Sequence, residues 1–131
     1  MKKYTENLLE QEGYKIKNAK ITNVSLNMKN HGCLTLDIML NGYDWGVLYG
    51  GYCLGKGYVG AKDDFFEGFG SGMEAIMRIM DTVGVSDLLD MKNQYVRVAE
   101  KGFGSSVKII GNIVKDKWFD YESFFEDKKS E

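Results

Sequence analysis

Two short stretches combine residue types and spacings that could do chemistry. Residues 55–60 read "GKGYVG", which satisfies G-x-G-x-x-G, the glycine pattern of loops that hold a dinucleotide pyrophosphate. Residues 95–108 read "YVRVAEKGFGSSVK". There Arg97 falls on a strand, Lys101, Phe103, Ser105 and Ser106 in a turn, and Lys108 on the returning strand. Arginine offers a bidentate grip on phosphate, lysine a point charge, and a loop phenylalanine a stacking surface. Together they make a minimal kit for an anionic, aromatic ligand such as a nucleotide, provided the hairpin register lets Arg97 and Lys108 share a face. The competing reading is an ordinary hairpin with its charges turned to water.

The dinucleotide fingerprint needs more than glycines. Its third glycine must open a helix inside a parallel β-α-β unit, so that the pyrophosphate meets the helix N-terminus. Here "AKDDFFEGFG" separates Gly60 from the nearest helical pattern, and Asp63 and Asp64 would repel a phosphate. The stretch from Gly55 to Gly72 therefore reads as a wide glycine-rich loop, with glycine supplying positive φ angles. Alternatively it closes over a ligand or partner, with Lys56 giving a charge and Tyr58 a flat surface.

Other chemistries lack their residues. His31 is the only histidine and lies next to Gly32, as a turn residue tolerant of the left-handed region. No H-E-x-x-H, G-x-S-x-G or Walker pattern occurs. Asp63/Asp64 reads as a solvated pair. Cys33 and Cys53 form no C-x-x-C; in a reducing compartment they are expected to be small buried thiols. No metal, no cofactor and no catalytic activity is expected.

The elements that must position these residues follow from periodicity. Residues 2–12 suit a short helix stopped by Gly13. Thr22, Val24, Leu26 and Met28 alternate with Asn23, Ser25 and Asn27, then Leu34, Leu36, Ile38 and Leu40 alternate with Thr35 and Asp37, which predicts two half-buried strands joined at "KNHGC". Asn41-Gly42 is a hairpin signal before a third strand, "WGVLYGGYCL". Met73, Ile76, Met77, Met80 and Val83 recur at helical spacing, and Gly84 ends that helix. Ser86 reads as an N-cap for a short helical turn. "QYVRVAE" and "VKIIGNIV" are two more strands, and "WFDYESFF" anchors the core through Trp118 and Phe119 before a charged, frayed end. The sum is an α+β chain: a mainly antiparallel sheet of about five strands, one main helix and a short N-terminal helix. Residues 1–131 read as a single domain, with 1–13 an appended helix or arm and 122–131 a charged tail.

Composition bounds the partners. The 131 residues carry a formal net charge of -2, no proline and 16 glycines. That charge disfavours broad nucleic-acid binding. No apolar run is long enough to span a membrane. The N-terminal "MKKYTENLLEQEG" lacks an apolar signal core. A cytoplasmic protein without membrane contact is the expectation.

The stretches "ITNVSLNMKNHGCLTLDIML", "YGGYCLG", "GMEAIMRIMDTVGV", "YVRV" and "IIGNIVKDKWFD" together resemble a group of small phage and prophage proteins of gut Firmicutes. The chain is similar, over roughly residues 16 to 121, to phage anti-Thoeris proteins that sequester cyclic ADP-ribose signals made by bacterial TIR enzymes. The resemblance implies a non-enzymatic homo-oligomer that holds its ligand where two chains meet, an aromatic ring and basic side chains gripping adenine and phosphates. It implies action inside an infected bacterial host. Local chemistry, and not the resemblance, nominates the ligand residues: Arg97, Lys101, Phe103 and Lys108, with Lys56 and Tyr58. A rival expectation is an anti-defence protein that blocks a host complex directly, as anti-CRISPR proteins do, with Asp63, Asp64, Glu67 and the acidic C-terminal end imitating nucleic acid.

Overall fold

The computed structural model describes residues 2–102 and 106–129. Its centre is a long strand, β1 (Lys15–Asn30), that pairs on both edges. Its C-terminal part runs antiparallel to β2 (Cys33–Gly42), and its N-terminal part runs antiparallel to β6 (Tyr95–Glu100). The β1–β2 turn is His31-Gly32, with φ of 53° and 76°. Histidine does tolerate the left-handed region there, as expected. A register shift at Thr22 separates Ile21↔Leu40 from Asn23↔Met39. That extra residue keeps Ala19 and Ile21 on the same face as Val24 and Leu26, all of them in the core cluster or, for Leu26, at its exposed end.

β2 also pairs twice along its other edge. Its C-terminal half meets β3 (Trp45–Gly50), and Cys33 at its start meets Lys56 of β4 (Gly55–Val59). β4 turns back into β5 (Asp64–Gly68). After β6 come β7 (Ile109–Asn112) and β8 (Trp118–Asp120). The result is an eight-stranded sheet in the order β5-β4-β2-β1-β6-β7-β8, with β3 beside β2. The α+β class and the antiparallel pairing match the expectation; the strand number exceeds it.

The stretch expected to be a wide glycine loop is instead the β4–β5 hairpin. Glycine is a poor strand former in isolation, but here it permits close packing. A Cβ on Gly57 would fall 2.7 Å from Met28 Cε and 2.8 Å from the Phe66 ring. The Asn41-Gly42 signal is also displaced: both residues lie inside β2, and the tight turn is Tyr43-Asp44, with Asp44 at φ 61°.

Among the described residues three helices pack on the sheet. α2 (Gly70–Val83) ends at Gly84, whose φ of 94° gives the expected left-handed cap. It buries Ala75, Ile79 and Val83 against Ile38, Leu40, Val98 and Ile110. The following 3₁₀ turn, Leu88–Met91, is capped by Asp87, not Ser86; the Asp87 carboxylate accepts the Leu89 N–H at 3.0 Å. Residues expected to fray form α3 (Tyr121–Lys129), because Tyr121, Phe124 and Phe125 project into the aromatic end of the core. Lys128 also pairs with Glu74 of α2 at 3.0 Å. On the opposite face α1 (Glu6–Gln11) sets Leu9 on Ala99 and Ile109.

Cys33 and Cys53 are joined in a disulfide, with Cα atoms 5.2 Å apart. This corrects the expectation of free thiols. The expectation rested on compartment chemistry, whereas the pairing follows from topology: Cys33 opens β2 where β4 crosses it, and Cys53 stands just ahead of β4. Among the described residues no helix is long and apolar enough to cross a membrane.

Candidate functional site

The fold separates the nominated residues into distinct places. Arg97 stands on β6 opposite Gly111 of β7, and Gly111 stands opposite Trp118 of β8. A Cβ on Gly111 would fall 2.3 Å from the Trp118 ring, so the bare glycine lets the indole lie across it towards Arg97. The guanidinium sits 4.6 Å from the Trp118 ring centroid. Arg97 Nε donates to the Asn112 carbonyl and Nη2 to the Lys115 carbonyl, both at 2.8 Å, and Nη1 lies 3.4 Å from Glu6 of α1. Its side chain is only 12% exposed. Arg97 is thus a structural clamp between the β7–β8 turn and α1, and it is not placed to grip a phosphate.

Lys101 and Lys108 do come together. Both line an open cleft of about 400 Å³ at the end of β6, with Tyr14, Ser106, Asp120 and Glu122. A volume of that order suits a small molecule (~300–1,000 Å³). Lys101 Nζ stands 4.7 Å over the Tyr14 ring, so its partner is an aromatic face. Lys108 is fixed through its backbone, because its carbonyl accepts from Tyr49 Oη at 3.2 Å and from the Tyr121 N–H at 3.0 Å. Its ammonium reaches Glu122 at 2.5 Å, and that hydrogen bond raises its pKa. Glu100, also at the cleft, is matched by Lys17 at 2.8 Å.

Asp120 forms the inner wall. It is 9% exposed and accepts the Ser123 N–H at 3.0 Å, capping α3, while Tyr4 Oη donates to it at 3.3 Å. Burial lifts its carboxyl above the ordinary range. Burial, with the Asp120 charge next, likewise raises the Tyr4 and Tyr14 phenols. Both phenols therefore stay protonated and serve as hydrogen-bond donors, not bases. The cleft offers a lysine over the Tyr14 ring, a second lysine held by Glu122, and the carboxylates of Glu100 and Asp120.

Sequence reasoning missed Tyr14, Asp120 and Glu122. Only Asp120 carried a local signal, since an aspartate three residues before Ser123, at the start of a helical aromatic pattern, is an N-cap spacing. Phe103 lies outside the described residues. Lys56 and Tyr58 are on β4, where they line a separate groove with His31, Cys33 and Phe65. Two strands, β2 and β1, stand between β4 and β6, and the two lie at opposite ends of β1: Lys56 is opposite Cys33, the partner of Asn30, whereas β6 pairs with residues 15–20. Lys56 and Tyr58 therefore do not join Lys101 and Lys108. Among the described residues no group of three or more histidines, cysteines, aspartates or glutamates is placed to hold a metal ion. Comparison with protein-family models, curated proteins and solved structures returns no match.

Proposed function

We propose that this protein is a non-catalytic binder that sequesters a small anionic, aromatic ligand of the cyclic nucleotide class, as a phage anti-defence protein directed at a cyclic ADP-ribose type signal would. The observation that carries this reading is the Lys101 ammonium standing over Tyr14 at the mouth of the cleft, with Lys108 beside it. A ring with two ammonium groups near it supports a ligand that brings a nucleobase and a phosphate, the phosphate competing with Glu122 for Lys108. The lining presents the protonated Tyr14 phenol and a capping carboxylate, Asp120, which supports binding more than turnover. Homo-oligomerisation belongs to the same proposal and is read by sedimentation.

The test is a thermal-shift screen against cyclic ADP-ribose isomers and cyclic dinucleotides. Ligand at ~100 times Kd adds about 2.7 kcal/mol to stability, a rise of several degrees. Lys101→Glu is expected to erase that rise while leaving the unliganded Tm near wild type. Arg97→Ala is expected to lower the unliganded Tm yet keep the rise. A rise that survives Lys101→Glu, or no rise with any nucleotide, refutes the reading.

A further inference from the structure

The β4–β5 arm plays no part in the cleft. Among the described residues β5 is the terminal strand of the sheet and pairs only with β4, and all five of its residues are exposed. The orientation of its backbone groups follows from its neighbours. Gly57 donates its N–H away from β5, to the Gly32 carbonyl at 2.9 Å. Its partner across the hairpin is Phe66, so Gly57 and Phe66 form a non-hydrogen-bonded pair in the β4–β5 ladder. The N–H and C=O of Phe66 therefore point outwards, and by the same alternation so do those of Asp64. Natural edges are blunted by charged side chains, lysine above all, by proline or by a covering element; β5 has no lysine or proline, and its charges, Asp64 and Glu67, are both acidic.

The side chains along this edge are aromatic and acidic. Phe66 is 68% exposed and Phe65 43%. Asp63, Asp64 and Glu67 take part in no ion pair among the described residues, and Lys62 is the one cation in residues 62–67. The disulfide fixes the root of the arm to the start of β2, which holds the edge in place. We propose that the free edge of β5 docks an extended cationic segment of a partner protein, which adds to the sheet as a further antiparallel strand. Main-chain hydrogen bonds to Asp64 and Phe66 supply the attachment, and alternating basic residues on one face of the added strand meet Asp63 and Glu67, which share a face of β5. Charge decides against a second copy of this chain as the occupant. Pairing two β5 edges brings six carboxylates together against the two Lys62 side chains and the two Lys56 side chains that stand opposite Glu67, a net negative seam, whereas a basic strand neutralises it. The inference is independent of the cleft, and it gives direct protein blocking a physical surface.

The probe is a short fluorescein-labelled peptide of alternating lysine and valine, titrated with the full chain and read by anisotropy. Binding is expected to weaken with salt. It is expected to fall by about tenfold or more with Asp63→Lys/Asp64→Lys, with Asp64→Pro, and with a peptide N-methylated at alternate residues. Asp64→Pro removes an outward N–H and leaves the β4–β5 ladder intact, and its circular dichroism reports whether the fold survives. Undiminished binding by the N-methylated peptide overturns strand addition. Equal affinity for a glutamate–valine peptide, or no binding of either, overturns the charge argument. A dimer in sedimentation that Asp64→Pro dissociates replaces the basic partner with a second copy.

Discussion

Arg97 shows how one side chain can look like a ligand residue and act as a scaffold. A guanidinium on a strand next to a glycine-rich turn matches phosphate chemistry by type. Two of its donors instead reach carbonyls of the β7–β8 turn, that of Asn112 and that of Lys115, which also accepts the Lys117 N–H at 2.8 Å. Removing it leaves the Asn112 and Lys115 carbonyls without that donor and Trp118 uncovered. Arg97→Ala is expected to cost about 2–3 kcal/mol, read as a lower urea midpoint. Arg97→Lys recovers only part of it, because a single ammonium cannot span both carbonyls. Asp120 makes the opposite case, a residue with no motif whose environment is unusual. Its carboxyl holds a proton more tightly folded than unfolded. Its protonation therefore favours the fold at low pH, and this contribution is lost as pH rises from about 4 through the folded value. Asp120→Asn keeps an acceptor for Ser123 and removes the titration. The variant is expected to gain stability relative to wild type as pH rises from 4 to 7, seen as diverging urea midpoints; parallel curves sink the assignment.

Among elements, the β4–β5 arm was the least legible in the sequence and the β1–β2 hairpin the most. Leu34, Leu36, Ile38 and Leu40 all fall on one face because their alternation is uninterrupted. In "GKGYVG" the glycines hide the strand. Their lack of side chains serves contacts with Met28 and Phe66, which only the folded sheet brings near. α3 was obscured differently: its charges read as a tail, although Tyr121, Phe124 and Phe125 already had the i, i+3, i+4 spacing of a helix face. The disulfide could not be read from spacing, since nothing local tells that β4 crosses the start of β2. It closes a loop with a sequence separation of 20, which by chain entropy contributes about 3 kcal/mol. Cys33→Ser/Cys53→Ser is expected to lower the urea midpoint accordingly, and reductant to shift wild type but not the variant. A wild-type protein with two titratable thiols and no response to reductant contradicts the bond.

At the scale of the whole molecule, the α+β class and the antiparallel pairing were legible because hydrophobic alternation and the capped helix α2 are local signals. The assembly of the cleft was not, because it is made where remote segments meet: Tyr14 behind α1, Lys101 after β6, and Asp120 at the end of β8. The hydrogen bond from Tyr4 to Asp120 spans 116 positions of sequence, and that from the Glu6 N–H to Asp116 spans 110. Contacts this remote have a consequence for synthesis. During translation α1 leaves the ribosome long before the strand and turn that hold it, and β1 waits through some seventy residues of chain for β6. The nascent chain therefore carries α1 without its partners and β1 with one edge open until β6, β7 and β8 have been made. Local hairpins such as β1–β2 can form early on the ribosome, but the docking of α1 and the closure of the β1 edge wait for these later segments.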